Sequence, residues 1–155
     1  FLSGSCPSFI QPNYNGQGYY RFSLETVDWQ NLVKESPRLS EGDRMSIADS
    51  LMGELYSGKL DYEFVLDSLA KLVDINSSTV TGYFMSAFKE ADHYWMNGAN
   101  RDKFHALAKA LIKPIYQKLK EKTDLTPDER VLRKETANFL SSTFNSLFLV
   151  KKLKL

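Results

Sequence analysis

The side chains best suited to chemistry are few in this chain: His93, His105, Cys6 and the carboxylates that flank His93. A catalytic zinc takes about three protein ligands, chiefly His, Asp or Glu. Helical sites set two of them one turn apart, as in H-E-x-x-H, a pattern the sequence lacks. His93 and His105 are separated by the Asn97-Gly98 turn and fall on different predicted helices. They read as partly exposed histidines at helix ends. Glu90, Asp92 and His93 would do acid–base work only if they lined a cleft; at the end of a helix they read as a solvated cluster. Attack by the Cys6 thiol would need a neighbouring base. Cys6 sits in a turn-rich segment beside Pro7 and reads as buried or idle. No serine stands in G-x-S-x-G, and Gly16 and Gly18 belong to no phosphate-binding loop. Tyr83, Phe84, Phe88, Tyr94 and Trp95 recur at helical spacing and are expected in a core rather than around a ligand. The sequence assigns no catalytic residue, no metal ligand and no substrate contact.

The elements that would position these residues differ along the chain. Residues 1–25 are punctuated by Gly4, Pro7, Pro12, Gly16 and Gly18. The aromatic, alternating run Gly18-Tyr19-Tyr20-Arg21-Phe22-Ser23-Leu24 reads as a strand. Asn13-Tyr14-Asn15-Gly16 marks a turn with positive φ, so a short β-hairpin is expected. A lone hairpin is marginal in water, and this one is expected to pair with helices or with a further sheet.

From residue 26 onward the period is helical. Thr26 or Asp28 would cap a short helix carrying Trp29, Leu32 and Val33, ended by Pro37. Ser40 with Asp43 forms a capping box before the stripe Ile47, Ala48, Leu51, Met52, Leu55 and Tyr56, with Gly58 as the stop. Asp61 would cap a third helix, with Phe64, Val65, Leu69, Leu72 and Val73 inward. Ser77 or Ser78 would start a fourth, with Val80, Tyr83, Phe84, Ala87, Phe88, Ala91 and Trp95 on one face. Asn100 would cap a fifth carrying Phe104, Leu107, Ala108, Leu111, Ile115 and Leu119, kinked at Pro114. Thr126-Pro127-Asp128-Glu129 starts a sixth with Val131, Leu132, Ala137 and Leu140. A last apolar stretch runs from Leu147 to Leu155. Medium helices joined by short loops predict a mainly α fold of antiparallel helical hairpins, an α-α superhelix or HEAT-like array, preceded by the β-hairpin.

Composition narrows the classes further. The chain has 155 residues, 43% apolar and 25% charged, which fits one ordinary globular domain. Twenty basic residues face nineteen acidic ones, and a net charge of +1 gives no reason to expect nucleic acid. Lys151, Lys152 and Lys154 read as a solvated terminal helix rather than an anion-binding tail. A single cysteine forms no internal disulfide. No apolar run approaches the roughly 20 residues that span a bilayer, and no signal peptide is visible. The chain starts with Phe rather than Met and is expected to be excised from something longer.

The order of segments resembles the M1 zinc aminopeptidases, the family of aminopeptidase N-like enzymes. Gly18-Tyr19-Tyr20-Arg21 followed by Trp29 and Leu32 is similar to that family's sheet-to-helix junction. Leu39-Ser40 through Asp43-Arg44, Ile47-Ala48-Asp49, Ser57-Gly58-Lys59-Leu60 and Asp61-Tyr62 through Val65-Leu66 look like its first long C-terminal helix and the turn that follows. Arg130-Val131-Leu132-Arg133 resembles a later helix. The resemblance is dense over residues 16–70 and looser to about residue 143.

It implies an enzyme of four parts, with zinc ligands and general base in a thermolysin-like domain absent from this sequence. Residues 1–25 would then be the end of a β-sandwich, and residues 26–155 the N-terminal part of the C-terminal helical domain. That domain caps the chamber in which N-terminal residues are hydrolysed and helps decide which peptides enter. The implied partners are the remaining domains of the parent and, indirectly, peptide substrates; zinc would belong to the full enzyme, with no cofactor in this chain. At the junction, Tyr19 and Tyr20 would face opposite sides of the strand, and Arg44 would reach a neighbouring carboxylate, as scaffold. The alternative is a free-standing helical-repeat module that binds peptides or proteins; a small helical-bundle enzyme ranks behind both for want of a ligand set. No compartment is assigned.

Overall fold

Short polar residues at the predicted starts do close the first turns of their helices. In the computed structural model, which describes residues 7–94, 96 and 98–144, the Asp43 amide donates to Ser40 Oγ at 3.1 Å while the Ser40 amide donates to Asp43 Oδ2 at 3.2 Å. This reciprocal pair opens α2, Glu41–Tyr56. The same device opens α6, Pro127–Phe144: the Glu129 amide donates to Thr126 Oγ1 at 3.2 Å, and Glu129 Oε2 accepts from the Thr126 amide at 2.9 Å. Asp61 caps α3, Tyr62–Leu72, by accepting from the Phe64 amide at 2.8 Å. Ser77 caps α4, Ser78–Tyr94, by accepting from the Val80 amide at 3.1 Å.

The other two starts differ from expectation. α1, Thr26–Glu35, is preceded by Glu25, whose side chain makes no capping bond, so neither Thr26 nor Asp28 is the cap. α5, Gly98–Glu121, begins two residues before Asn100. Gly98 stands at φ +51, where a residue without Cβ turns the chain directly into the helix. Pro114 lies inside α5, which continues through it. The carbonyl its ring deprives of a donor belongs to Ala110, on an exposed position.

The expected β-hairpin is absent: no strand occurs among the described residues. The turn within it is real, a 3-10 turn at Tyr14–Gly16 with Asn15 at φ +55 and Gly16 at φ +64. The strand is lost because Asn13 takes its hydrogen bonds. Asn13 Nδ2 donates to the Gly18 and Tyr20 carbonyls at 3.0 and 3.3 Å, and Asn13 Oδ1 accepts from the Gly18 amide at 2.8 Å. A side chain that satisfies the local backbone in this way removes the need for a partner strand. Tyr19 and Tyr20 accordingly do not divide between two packed faces; both are exposed.

The chain divides into two compact units at Leu72/Val73. In the first, α2 and α3 pack against each other across residues 57–61, where Gly58 at φ +73 ends α2. α1 packs on α3 and is followed by a 3-10 turn, Ser36–Arg38, containing Pro37. Trp29 of α1 is fully buried and stacks on Phe22, ring centroids 5.2 Å apart. Leu32, the Ile47, Ala48 and Leu51 stripe of α2, and Val65 and Leu69 of α3 are likewise without accessible surface.

In the second unit α6 packs on both α5 and α4. Phe88 is its hub, stacked on Phe104 at 4.2 Å and edge-on to Phe139 at 5.3 Å. A smaller cluster of Leu119, Leu125 and Leu132 packs with Ile75 and Ile115. The buried stripe of α5 is His105, Ala108, Ile112 and Leu119: Ala108 and Leu119 are inward as expected, whereas Leu107 is exposed and Ile112 is core. Likewise Phe139 and Thr136, not Val131, are buried in α6, and Tyr56 of α2 is exposed. The apolar stretch from Leu147 to Leu155, Trp95 and Cys6 lie outside the described residues.

Trp29→Ala should cost about 3–5 kcal/mol, as expected for a large aromatic removed from a packed core. Urea unfolding followed by circular dichroism checks this; a loss under about 1 kcal/mol would mean that Trp29 does not hold the first unit together.

Candidate functional site

α2 presents a stripe of buried polar side chains, Asp43, Ser50 and Glu54, seven and then four residues apart. That spacing keeps them on one helix face, and the irregular chain before α1 lies along it as a strap. At the first turn, Asp43 is 3% exposed and binds four donors. Its Oδ1 accepts from the Asn15 amide at 2.6 Å and from Gln11 Nε2 at 3.2 Å. Its Oδ2 accepts from the Ser40 amide, with Ser40 Oγ 2.7 Å away. Ser40 Oγ also lies 2.6 Å from Asn15 Oδ1, so its single proton is shared between two acceptors. The two backbones touch here: a Cβ on Gly42 would lie 2.3 Å from the Asn15 carbonyl oxygen, and one on Gly16 would lie 2.8 Å from the Gly42 oxygen.

Further along α2 the strap is fixed at three more residues. Arg21 meets Asp49 through two 2.9 Å bonds, its aliphatic stem lying over Gly53. The Phe22 amide donates to Ser50 Oγ at 3.3 Å, and Ser23 Oγ donates to Glu54 Oε2 at 2.9 Å. Lys59, from the turn after α2, closes on Glu54 at 3.3 Å. Burial alone would raise the pKa of Asp43; the bonds from Ser40, Asn15 and Gln11 outweigh it and hold the carboxyl below its ordinary range.

The second unit contains the nearest thing to an acid–base cluster. Asp92 on α4 receives Arg101 Nε at 2.8 Å and its terminal nitrogen at 2.9 Å, and lies 2.6 Å from His105 Nε2. Burial again pushes the Asp92 pKa up, and the bonds from Arg101 and His105 bring it below the usual carboxylate range. Arg101 is in turn held more firmly protonated by its bond to Asp92. This corrects two expectations. Asp92 is tied to α5 rather than solvated with Glu90 and His93, and His105 is buried rather than partly exposed. His93 is exposed, edge-on to Tyr94 at 4.5 Å. The signal that could have found the cluster is the Arg101/His105 spacing of four on one face of α5.

These residues do not fit a zinc site. Asp92, the carboxylate beside His105, is bound by a guanidinium, and His93 is exposed to solvent. Among the described residues no group of three or more His, Cys, Asp or Glu is placed to hold a metal. Of the expected aromatic group, Phe84 and Phe88 are core, Tyr83 is half-buried and Tyr94 is exposed. No helix among the described residues is long and apolar enough to cross a membrane.

The described residues form two helical units, the first carrying a polar strap along α2. The chain belongs to the family described as ERAP1-like C-terminal domain, which matches residues 9–147. This identifies it as C-terminal-domain sequence of the M1 aminopeptidase type, in agreement with the resemblance drawn from the junction residues. No curated protein and no solved structure matches it.

Asp43→Asn should destabilise the chain by about 2–3 kcal/mol at pH 7, since charge-assisted acceptors are lost from a buried position. Because the folded pKa is depressed, the stabilisation is complete above the ordinary carboxylate pKa of about 4 and disappears as pH falls through the folded value. The gap between wild type and variant in urea unfolding should therefore shrink from pH 5 to pH 2; a constant gap would refute the charge-based account. Gly42→Ala should destabilise, although alanine is the better helix former, because its Cβ meets the Asn15 backbone. Faster chymotryptic cleavage at Tyr14 or Tyr19 is the expected readout, and unchanged cleavage would show that the contact yields freely.

Proposed function

We propose that this chain is a non-catalytic helical domain of an M1-type zinc aminopeptidase, shaping the substrate chamber and peptide access for hydrolysis of N-terminal residues. The observation that carries this reading is the family match over residues 9–147. The strap supports it physically. Its bonds to α2 hold an apolar row outward: Ile10 is 65% exposed, Tyr14 70%, Tyr20 54%, and Tyr19 is fully exposed. Exposed apolar patches of this kind commonly mark a surface that another domain covers. The remaining domains of the parent are the proposed cover, and zinc with its general base is assigned to them. In this role the chain acts by shape: its helices exclude water and limit which peptides reach the site.

A second reading is favoured by one observation. Residues 11–23 bond to α2 and to each other without any sheet, so the chain has the makings of a free-standing helical module for peptides or proteins. The purified chain, incubated with aminoacyl and peptide substrates with and without added zinc, is expected to release no N-terminal residues. Stoichiometric zinc with turnover abolished by a chelator would overturn the non-catalytic reading. Sequencing the gene upstream of the Phe1 codon separates the other two. An H-E-x-x-H helix with a further glutamate about a helix length later is expected for the aminopeptidase parent. A reading frame that starts near residue 1 would move the assignment to the free-standing module.

A further inference from the structure

The net charge of +1 hides a strong asymmetry. Residues 1–97 contain seven basic and thirteen acidic residues, whereas residues 98–155 contain thirteen basic and six acidic. Part of this excess is gathered in a groove of about 460 Å³ between α5 and α6. Tyr116 and Lys120 line it from α5, and Arg130, Arg133, Lys134 and Ala137 line it from α6. The four cations are exposed, and the two apolar contributors are half-buried and form the floor. Among the described residues no carboxylate lines the groove. Glu129, in the first turn of α6, is committed to Lys122 at 2.7 Å. Lys120, Arg133 and Lys134 make no ion pair among the described residues, and Arg130 is oriented by a 3.1 Å bond from its Nε to the Leu125 carbonyl.

Arg130, Arg133 and Lys134 stand at the i, i+3, i+4 positions of one helix face. Like charges at that spacing destabilise a helix, so the cluster is a standing cost that an external anion would relieve. We infer that this groove binds an extended acidic peptide segment, with its carboxylates on the α6 cations and its backbone over Tyr116 and Ala137. The spacing fits. A rise of 1.5 Å per residue sets Arg130 about 4.5–6 Å from Arg133 and Lys134 along the axis. Alternate side chains of an extended chain lie about 6.6 Å apart on one side. Arg133 adds a planar fork suited to a carboxylate. A nucleic-acid duplex is less well matched, because it calls for a long basic face with many phosphate contacts, and this groove offers four cations over two helices. The inference does not depend on the aminopeptidase reading, since it uses only the α5–α6 hairpin.

The test is fluorescence anisotropy with the full chain and a labelled dodecapeptide of alternating Glu and Ser, at 50 and 200 mM salt, against a Lys-Ser counterpart. The acidic peptide should bind with a Kd of about micromolar order at 50 mM and weaken at 200 mM, as exposed ion pairs do. The Lys-Ser peptide should not bind. The double variant R133E/K134E should weaken binding about tenfold or more, and R133Q/K134Q by less, with circular dichroism unchanged. K103E, an exposed cation of α5 outside the groove, should change it less than about twofold. No binding of the acidic peptide by the wild-type chain overturns the inference. So does equal weakening by K103E, which would mean diffuse charge attraction. Displacement of the peptide by equimolar 12-base-pair DNA or inorganic phosphate would also overturn it, in favour of a phosphate-binding groove.

Discussion

One carboxylate sets the geometry of the first unit. Asp43 closes the capping box of α2 and also receives the Asn15 amide and the Gln11 side chain. A helix start is thereby made into a fastening point for a segment almost thirty residues earlier in the chain. The fastening works only because two backbones come into contact at Gly16 and Gly42, where neither residue has room for a Cβ. Helix, strap and the aromatic row that the strap holds outward all follow from that contact. With the strap in place, Phe22 reaches Trp29 and seals the core beneath it.

The second unit is organised differently. Its centre is an aromatic stack, Phe104 on Phe88 with Phe139 at the edge, rather than a polar fastening. Polar groups tie its helices at their ends. Asp92 of α4 holds Arg101 and His105 of α5, and Asp128 in the first turn of α6 accepts from the amide and hydroxyl of Ser78 at the start of α4. Charged groups therefore fix where the helices meet, while the rings fill the space between them.

What was legible in the sequence was local. Capping boxes at Ser40 and Thr126, the caps at Asp61 and Ser77, and the stop at Gly58 lie within three or four residues of the helices they govern. The Asn15-Gly16 turn was legible for the same reason. Its flanking strand was not, because alternation in Tyr19 to Leu24 says nothing about a competing side chain at Asn13. Helix faces were readable only to within one residue. Leu107 and Ile112 are both apolar, and packing against α6 decided which turned inward. The cluster at Asp92 was missed because its partners lie nine and thirteen residues away, beyond any helical period. The family was legible because the junction and the α2–α3 turn occur in the right order, and the family match over residues 9–147 includes that stretch.

The strap's turn has a chemical consequence of its own. Asn-Gly is the sequence most prone to spontaneous deamidation, in which the glycine amide nitrogen closes on the asparagine side chain. Here that nitrogen is engaged: the Gly16 amide donates to the Asn13 carbonyl at 3.0 Å. The docked strap thus shields its own most perishable bond, and a molecule whose strap lifts would begin to age there. The product, an aspartate or isoaspartate beside Asp43, would place a second negative charge against the first.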